Sequence, residues 1–319
     1  MDELDLIKNY FQKLTKKNPS ALKLNDDVFF DKKKNIILSV DTYNEGVHYL
    51  NFNKPDLIIK KIIRSSISDL ICKGVKPKYF LLTGSGNKSH FNKKNLKLIS
   101  KSINEEQKKF NILLSGGDTT FSTKSSFSVV SIGFSRNIVQ RNSAKINDDI
   151  YLTGNLGDSF VGLNILKKKI IIKKKLSNYF IKKYYLPDIP IKLQKYLKHF
   201  ANTSIDVSDG FFADLNKLLN KQKLGYNLNI NKIPISKNLK FYIKKNNKNL
   251  LNFISKGDDY QVLFTSHKKN RSYISRLSKR IDLKITAIGK ISNSYKKRII
   301  VYNKKVIKPL NYSGYLHKF

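Results

Sequence analysis

Apolar and polar positions along the chain follow two periods. Behind Pro55, the residues Leu57, Ile58, Ile62, Ile63, Ile67, Leu70 and Ile71 recur at three- and four-residue spacing. That period predicts a helix with one apolar face, stopped by Gly74 and Pro77. Asn92 to Phe110 predicts a second helix. Around them, short apolar and β-branched runs read as strands: Asn35 to Val40, Lys78 to Thr83, Asn111 to Ser115 and Phe127 to Ser135. Asp41 follows the first of these as the start of a loop. The polar stretch Arg141 to Asn147 then separates a second series. It predicts a strand at Asp149 to Thr153, and a glycine turn at Thr153 to Ser159 feeding a helix from Asp158 to about Lys168. Helical residues Ile191 to Phe200 and a short strand, Thr203 to Asp206, follow. Asp206 to Gly210 turns into a helix, Phe211 to Asn220. Strands near 226–230, 260–265, 283–288 and 299–302, with helices between them, complete the chain. Such alternation predicts an α/β (α+β) protein with no short-period repeat. The polar break predicts two domains, 1–145 and 146–319.

Composition supports a folded chain. In 319 residues, 40% are apolar, with 19 Phe and 17 Tyr, enough for two ordinary cores. No apolar run reaches the roughly 18 residues that span a bilayer, so no membrane partner is expected. Met1 to Thr15 reads as an amphipathic helix without a signal-peptide core. The single cysteine, Cys72, excludes an internal disulfide framework and fits a reducing cytoplasm.

The net charge of +39 invites a nucleic-acid reading. Arginine, which base and phosphate recognition favour, is confined to Arg64, Arg136, Arg141, Arg271, Arg276, Arg280 and Arg298. Lysine instead is scattered through nearly every segment, as a solvated surface would be, and no nucleic-acid partner is expected. Against this background the scarce acids are informative. Asp26-Asp27, Asp41, Asp69, Asp118, Asp206 and Asp209 sit in polar clusters at the ends of apolar runs.

Each aspartate alone is as well explained by a turn or a helix cap. As a converging set they would repel: two carboxylates about 4 Å apart cost roughly 4 kcal/mol at an effective dielectric of 20. Mg²⁺ ions relieve such repulsion, and several of them imply a polyphosphate ligand. Ser115-Gly116-Gly117-Asp118-Thr119-Thr120 is, by itself, an even choice between a hairpin turn and a phosphate loop. The five histidines show no metal-binding spacing, and Cys72 on its apolar helix reads as an inert buried thiol. Thr83-Gly84-Ser85-Gly86-Asn87 lacks the third glycine of a dinucleotide fingerprint and reads as a flexible loop.

The order of these segments carries a specific resemblance. NDD (25–27), SVDTYNEGVHY (39–49), SSISDLICKGVKP (65–77), SGGDTT (115–120), RNSAKINDDIYLTGNLGDS (141–159), SIDVSDGFFADL (204–215) and KGDDYQVLFT (256–265) together resemble the thiamine-monophosphate kinase family. That family lies within the aminoimidazole ribonucleotide synthetase-like superfamily. The resemblance implies the two-domain fold of that superfamily and a homodimer paired through the sheets of its N-terminal domains. It implies transfer of the ATP γ-phosphoryl group to thiamine monophosphate, with several Mg²⁺ ions and no covalent nucleophile. By position, Asp27, Ser39, Val40, Asp41, Asp69, Asp118, Asp206 and Asp209 would ligate metal. Gly117, Asp118, Arg141 and Ser208 would contact ATP. His48, Asp258 and Tyr312 would contact the thiamine phosphate.

Some positions depart from the family pattern. Asn25 stands for Gly, Val40 for Thr, and Asp258 and Gln261 for Glu. Tyr312 stands for a larger or less polar aromatic and still offers a face for stacking on a thiamine ring. Val40 is harmless if its carbonyl is the ligand, and damaging if a hydroxyl is needed. The Gly-Gly-Asp-Thr-Thr loop, the segment Glu45 to His48 and the lack of a reactive N-terminal Cys argue against a related aminoimidazole or selenophosphate synthetase. A basic nucleic-acid-binding protein would leave the aspartates unexplained.

Overall fold

The apolar period behind Pro55 becomes a buried helix, and the first half of the chain is arranged on it. The structure is a computed structural model that describes residues 1–295, 298–307, Gly314, Tyr315 and His317. A short helix α1 (Glu3–Leu6) continues as π and 3-10 turns to Leu24 without burying a residue. The N-terminus is therefore helical, as the sequence predicts, but broken into short pieces. Strands β1 (Phe29–Asp31) and β2 (Ile36–Asn44) form a hairpin. Then come α2 (Pro55–Cys72), β3 (Pro77–Gly86), α3 (Lys93–Phe110), β4 (Leu113–Leu114), β5 (Thr119–Phe121) and β6 (Ser126–Phe134).

These strands form one sheet in the order β1-β2-β6-β3-β4, with β5 also on β3. Alternate residues face opposite sides. On one side Tyr43, Phe80, Phe127 and Val129 pack with Ile58, Ile59, Ile62 and Ile63 of α2. The other side carries Val40, Phe134 and Leu113, all exposed. A sheet with one covered face and one apolar open face is a surface that another body can cover.

Two local expectations are corrected here. Strand β2 runs past Val40 to Asn44, so Asp41 lies inside a strand and not at the head of a loop. Thr83 to Gly86 is no loop either but the end of β3. Gly84 lies under the Phe127 ring, and Gly86 under Phe91 and His90, so the missing side chains make room for rings on neighbouring elements. Close packing, not mobility, explains both glycines.

The second series comprises β7 (Asp149–Thr153), α4 (Asp158–Leu166), α5 (Lys174–Tyr185), α6 (Gln194–Leu197), β8 (Ala201–Asp206), α7 (Phe211–Leu218), β9 (Gly225–Asn229), α8 (Lys237–Lys245), α9 (Leu251–Ile254), β10 (Val262–Ser266), α10 (Arg271–Arg280), β11 (Ile285–Ser292), β12 (Arg298–Tyr302) and β13 (Lys305–Ile307). Its sheet order is β13-β12-β9-β11-β7-β10-β8. Among the described residues of this sheet, only β12 and β9 pair in parallel. Helix α2 joins the two sheets. Its end packs on β8, where Ser204 Oγ donates to the Cys72 carbonyl and Ser68 Oγ donates to Asp206 Oδ2 at 2.7 Å. Cys72 is buried and its thiol is pushed up by that burial, as expected of an inert sulfur.

Candidate functional site

Where α2 meets β8, acids from four segments converge. Asp27 comes from the loop before β1, Asp41 from β2, Asp69 from the last turn of α2, and Asp206 from the end of β8. Burial raises Asp41 to about 7, helped by the charges of Asp206 and Asp27. Burial likewise raises Asp206 to about 7, with Asp27 next in importance. Asp69 is pushed well up by burial and then by Asp41, Asp206 and Asp27. Asp41 Oδ2 is buried with no hydrogen-bond partner. Such acids repel one another and destabilise the fold unless cations offset them.

Asp27 behaves differently. Burial opposes its ionisation, but Arg141 and Lys73 outweigh that and hold it at about 2. Arg141 Nη2 stands 3.5 Å from Asp27 Oδ1, and the Arg141 amide donates to Asp26 Oδ2 at 2.9 Å. Arg141 is thus no ordinary surface arginine. Its Nε is buried and unpartnered, a donor left for a ligand.

Asp209 sits one turn beyond Asp206, ion-paired to Lys217. Asp214 Oδ2 accepts the amides of Asp209 and Gly210, fixing this turn, while its Oδ1 is buried without a partner. Among the described residues no three such side chains already stand in ion-coordinating geometry. The acids form a looser array, and the cations paired with it are Lys73, Arg141 and Lys217. An array with surplus buried carboxylates and an unpartnered oxygen suits hard divalent ions.

The alternation of β2 places Ser39 and Asp41 on the α2 side and Val40 on the open side. Ser39 Oγ donates to the Ser66 carbonyl at 3.3 Å. A threonine hydroxyl at position 40 would face away from the acids, so only the main chain of Val40 is relevant to them.

A second constellation involves His48 and Asp258. Asp258 Oδ2 pairs with Lys61 Nζ of α2 at 2.9 Å, and Tyr260 Oη donates to Asp258 Oδ1 at 2.9 Å. The Lys61 ammonium stands 3.5 Å over the Tyr184 ring, and Tyr184 Oη donates to the His48 carbonyl at 3.1 Å. Burial, then the charge of His317, lowers His48 to about 4, so the ring is neutral at neutral pH. Its Nδ1 accepts the Asn44 amide at 2.9 Å, which leaves Nε2–H as the ring's donor.

The two constellations share backbone. The Asp258 amide donates to the Ser208 carbonyl at 2.8 Å and the Tyr260 amide to the Val207 carbonyl at 2.8 Å. A Cβ on Gly257 would lie 1.7 Å from the Ser208 carbonyl oxygen, so glycine is required there. Asp258 and Tyr260 both take positive φ, +70° and +50°, an uncommon conformation held by these bonds. Tyr312 lies outside the described residues.

The structure does not bring Asp118 to the other acids. It lies beyond β3, with Leu82 and Gly84 amides donating to the Gly116 and Asp118 carbonyls. Asp41 pairs with Val129, and Val129 with Leu82. Three strand spacings, roughly 14 Å, therefore separate the two acids across the sheet. Asp118 Oδ1 accepts the Thr119 amide at 2.8 Å, and residues 113 to 121 are all exposed. Gly117 serves this edge: a Cβ there would lie 1.8 Å from the Leu82 carbonyl oxygen. Its close approach is to the chain's own strand. Lys61, Lys73 and Asp214 were not anticipated from sequence, because one lysine among 62 basic residues carries no signal.

Residues 23–135 match the family described as AIR synthase related protein, N-terminal domain. The hydrogenase maturation protein HypE in complex with ATP shares the fold, with a TM-score of 0.67 at 14% identity over 97% of this chain and 94% of that one. The fold therefore defines an AIR synthase-like protein. The chain is 36% identical over 313 residues to thiamine-monophosphate kinase of Buchnera aphidicola subsp. Schizaphis graminum, covering 96% of each. It is 30% identical over 239 residues to thiamine-monophosphate kinase of Aquifex aeolicus, covering 75% and 78%. The structure of AaThiL complexed with AMPPCP and TMP superposes with a TM-score of 0.85 at 26% identity, over 99% of this chain and 97% of that one. The chain belongs to the thiamine-monophosphate kinase family.

Proposed function

We propose that the chain transfers the γ-phosphoryl group of ATP to thiamine monophosphate, giving thiamine diphosphate and ADP, with Mg²⁺. Family membership supplies the reaction. The observation that carries the site is the surplus of buried carboxylates at Asp41, Asp69 and Asp206, beside the His48–Asp258 constellation. In the reaction, an oxygen of the acceptor phosphate bonds to the γ-phosphorus in line as the bond to the ADP oxygen breaks. That acceptor is already ionised, so no strong general base is needed.

Asp41, Asp69, Asp206 and the main chain at Ser39 and Val40 would hold Mg²⁺, with Asp209 beside a further ion. Bound there, Mg²⁺ would neutralise phosphate charge and hold the reacting oxygens in line. Arg141 and Ser208 face the nucleotide, and the guanidinium supplies a planar fork that lysine lacks. His48 Nε2–H and the fixed carboxylate of Asp258 orient the thiamine part.

Residues 1–145 form the nucleotide, metal and dimerisation domain and residues 146–319 the C-terminal domain in this reading. The open face of the first sheet pairs with a second copy. Gly117 and Asp118 then serve nucleotide and metal across that interface, a role favoured by their distance from the acids of their own chain. No described helix is long and apolar enough to cross a membrane.

Incubation with ATP, Mg²⁺ and thiamine monophosphate is expected to yield thiamine diphosphate and ADP in equal amounts. ADP without thiamine diphosphate, or no product across a range of Mg²⁺, would defeat the reading.

A further inference from the structure

We propose that the ammonium of Lys73 is a built-in cation standing in for one divalent ion. Asp27 is then neutralised by the chain itself, and the ions of the site gather at Asp41, Asp69 and Asp206. The inference rests on the metal reading above and departs from it at Asp27.

Lys73 closes the C-terminal end of α2 and is wholly buried. A lysine is almost never fully buried unless paired. Its Nζ lies 2.7 Å from Asp26 Oδ1 and 2.6 Å from Asp27 Oδ2, and donates to the Ser204 carbonyl at 2.8 Å. Two carboxylate oxygens and one carbonyl oxygen thus surround the ammonium. The group is held between the loop before β1 and strand β8.

The neighbouring acids are correspondingly committed. Asp26 Oδ1 also accepts the Asp27 amide at 2.9 Å, and its Oδ2 accepts the Arg141 amide. Asp27 has Lys73 on Oδ2 and Arg141 on Oδ1, so a cation faces each of its oxygens. A divalent ion on Asp27 would have to displace one of these or stand against it at close range, where like charges repel strongly. Asp27 Oδ2 and Asp41 Oδ2 are both buried without a hydrogen bond, but among the described residues Asp41 has no ion-pair partner, and Asp206 Oδ2 takes the neutral Ser68 hydroxyl. The site thus has a half already balanced by side chains and a half that is not. A fixed ammonium also binds without the loss of an ion from solution, so this half remains neutral at low Mg²⁺.

The test counts ions. Mn²⁺ serves as the probe, titrated into the full chain while its free fraction is followed by paramagnetic resonance. Wild type, Lys73→Met and Asp27→Asn are compared. Lys73→Met is expected to bind one additional Mn²⁺ per chain. Its melting temperature should fall below wild type in EDTA and gain more than wild type from Mn²⁺. Asp27→Asn is expected to bind the wild-type number. Equal counts in wild type and Lys73→Met, or one ion fewer in Asp27→Asn, would overturn the inference while leaving the metal site intact. Should Lys73→Met fail to fold, Asp27→Asn decides alone, since Lys73 there keeps Asp26. A wild type that binds no Mn²⁺ would defeat the metal reading and this inference together.

Discussion

The acids between α2 and β8 and the loop Ser115 to Thr120 both carry aspartates, yet they are opposite kinds of structure. Asp41, Asp69 and Asp206 are enclosed, repel one another and are raised in pKa by burial. Asp118 lies on an exposed edge, its carboxylate spent on the next amide. One region is assembled by tertiary folding within a chain. The other is presented outward with Leu113, Leu114 and Phe121 beside it, all exposed. The difference teaches that segments which together make one family pattern need not meet in one chain.

Substituting each acid by its amide should separate these regions most sharply. Asp41→Asn and Asp118→Asn are each expected to lower turnover at least about a hundredfold, the scale of losing a metal's charge stabilisation. Their stabilities should diverge. Asp41→Asn removes a repelling buried charge and should raise the melting temperature in EDTA, whereas Asp118→Asn should leave it unchanged. Mixing the two inactive variants gives a further test. If Asp118 serves its partner's site, a mixed dimer has one intact site, and an equal mixture regains about a quarter of wild-type activity by random pairing. Should both residues serve the same chain's site, the mixture stays inactive.

The legibility of these regions in sequence differs for the same reason. Helix α2 is visible because its isoleucines repeat at a helical period, but the burial of Lys61, Arg64, Ser65, Ser66 and Ser68 on its other faces is not. The strands were visible from their β-branched runs. Sequence alone puts Asp41 at the head of a loop because a strand's end is set by its partners, here Phe127 and Ser126 of β6 opposite Tyr43 and Asn44. The glycines of Thr83 to Gly86 read as flexible because the rings that fill their space, Phe127, His90 and Phe91, lie outside that segment. Lys61 and Lys73 were hidden by the abundance of lysine, and only burial distinguishes them. The acids were legible as a set, but not the separation of Asp118, which depends on strand order.

The enclosed region should also announce itself in pH dependence. Asp41 and Asp206 titrate near 7 in the folded chain and near 3.8 as ordinary carboxyls. The folded state therefore holds more protons between those values, and stability falls as pH rises through that window. In EDTA the melting temperature is expected to drop by several degrees between pH 4.5 and 7.5 on this account, a shift on the order of a few kcal/mol. Saturating Mg²⁺ should flatten the slope by supplying the missing charge. An EDTA profile that rises with pH in this range would contradict the burial of these acids. Asp118→Asn should leave the profile unaltered, and Asp41→Asn should weaken it.

At the exposed edge, the corresponding probe is steric. Gly117→Ala places a methyl group 1.8 Å from the Leu82 carbonyl oxygen, and backbone must move. A forced shift of this kind costs about 1–3 kcal/mol. Thermal unfolding should show that loss, and turnover should fall because the Asp118 loop is displaced. A stable, fully active Gly117→Ala would mean that the loop can leave β3 without consequence.

The smallest effect is expected at Lys61, where binding and chemistry can be told apart. The ammonium of Lys61 holds Asp258 Oδ2 at 2.9 Å, and the Tyr260 hydroxyl holds Oδ1. Asp258 is the shorter acid where the family pattern has Glu, and its backbone already sits at φ +70°. Its carboxylate is therefore aimed by two partners and a strained turn, not by its own reach. Lys61→Met keeps the stem along the Tyr184 ring but frees one oxygen. The KM for thiamine monophosphate is expected to rise about tenfold, the worth of about 1.4 kcal/mol in substrate orientation. The KM for ATP and the metal dependence should stay at wild-type values, because Lys61 pairs with none of the acids at β8. A Lys61→Arg variant should recover part of the loss, since a cation again faces Asp258. If Lys61→Met instead lowers kcat and leaves the KM for thiamine monophosphate unchanged, the pairing with Asp258 does not set substrate binding, and the two constellations are coupled more tightly than their separate ion pairs imply.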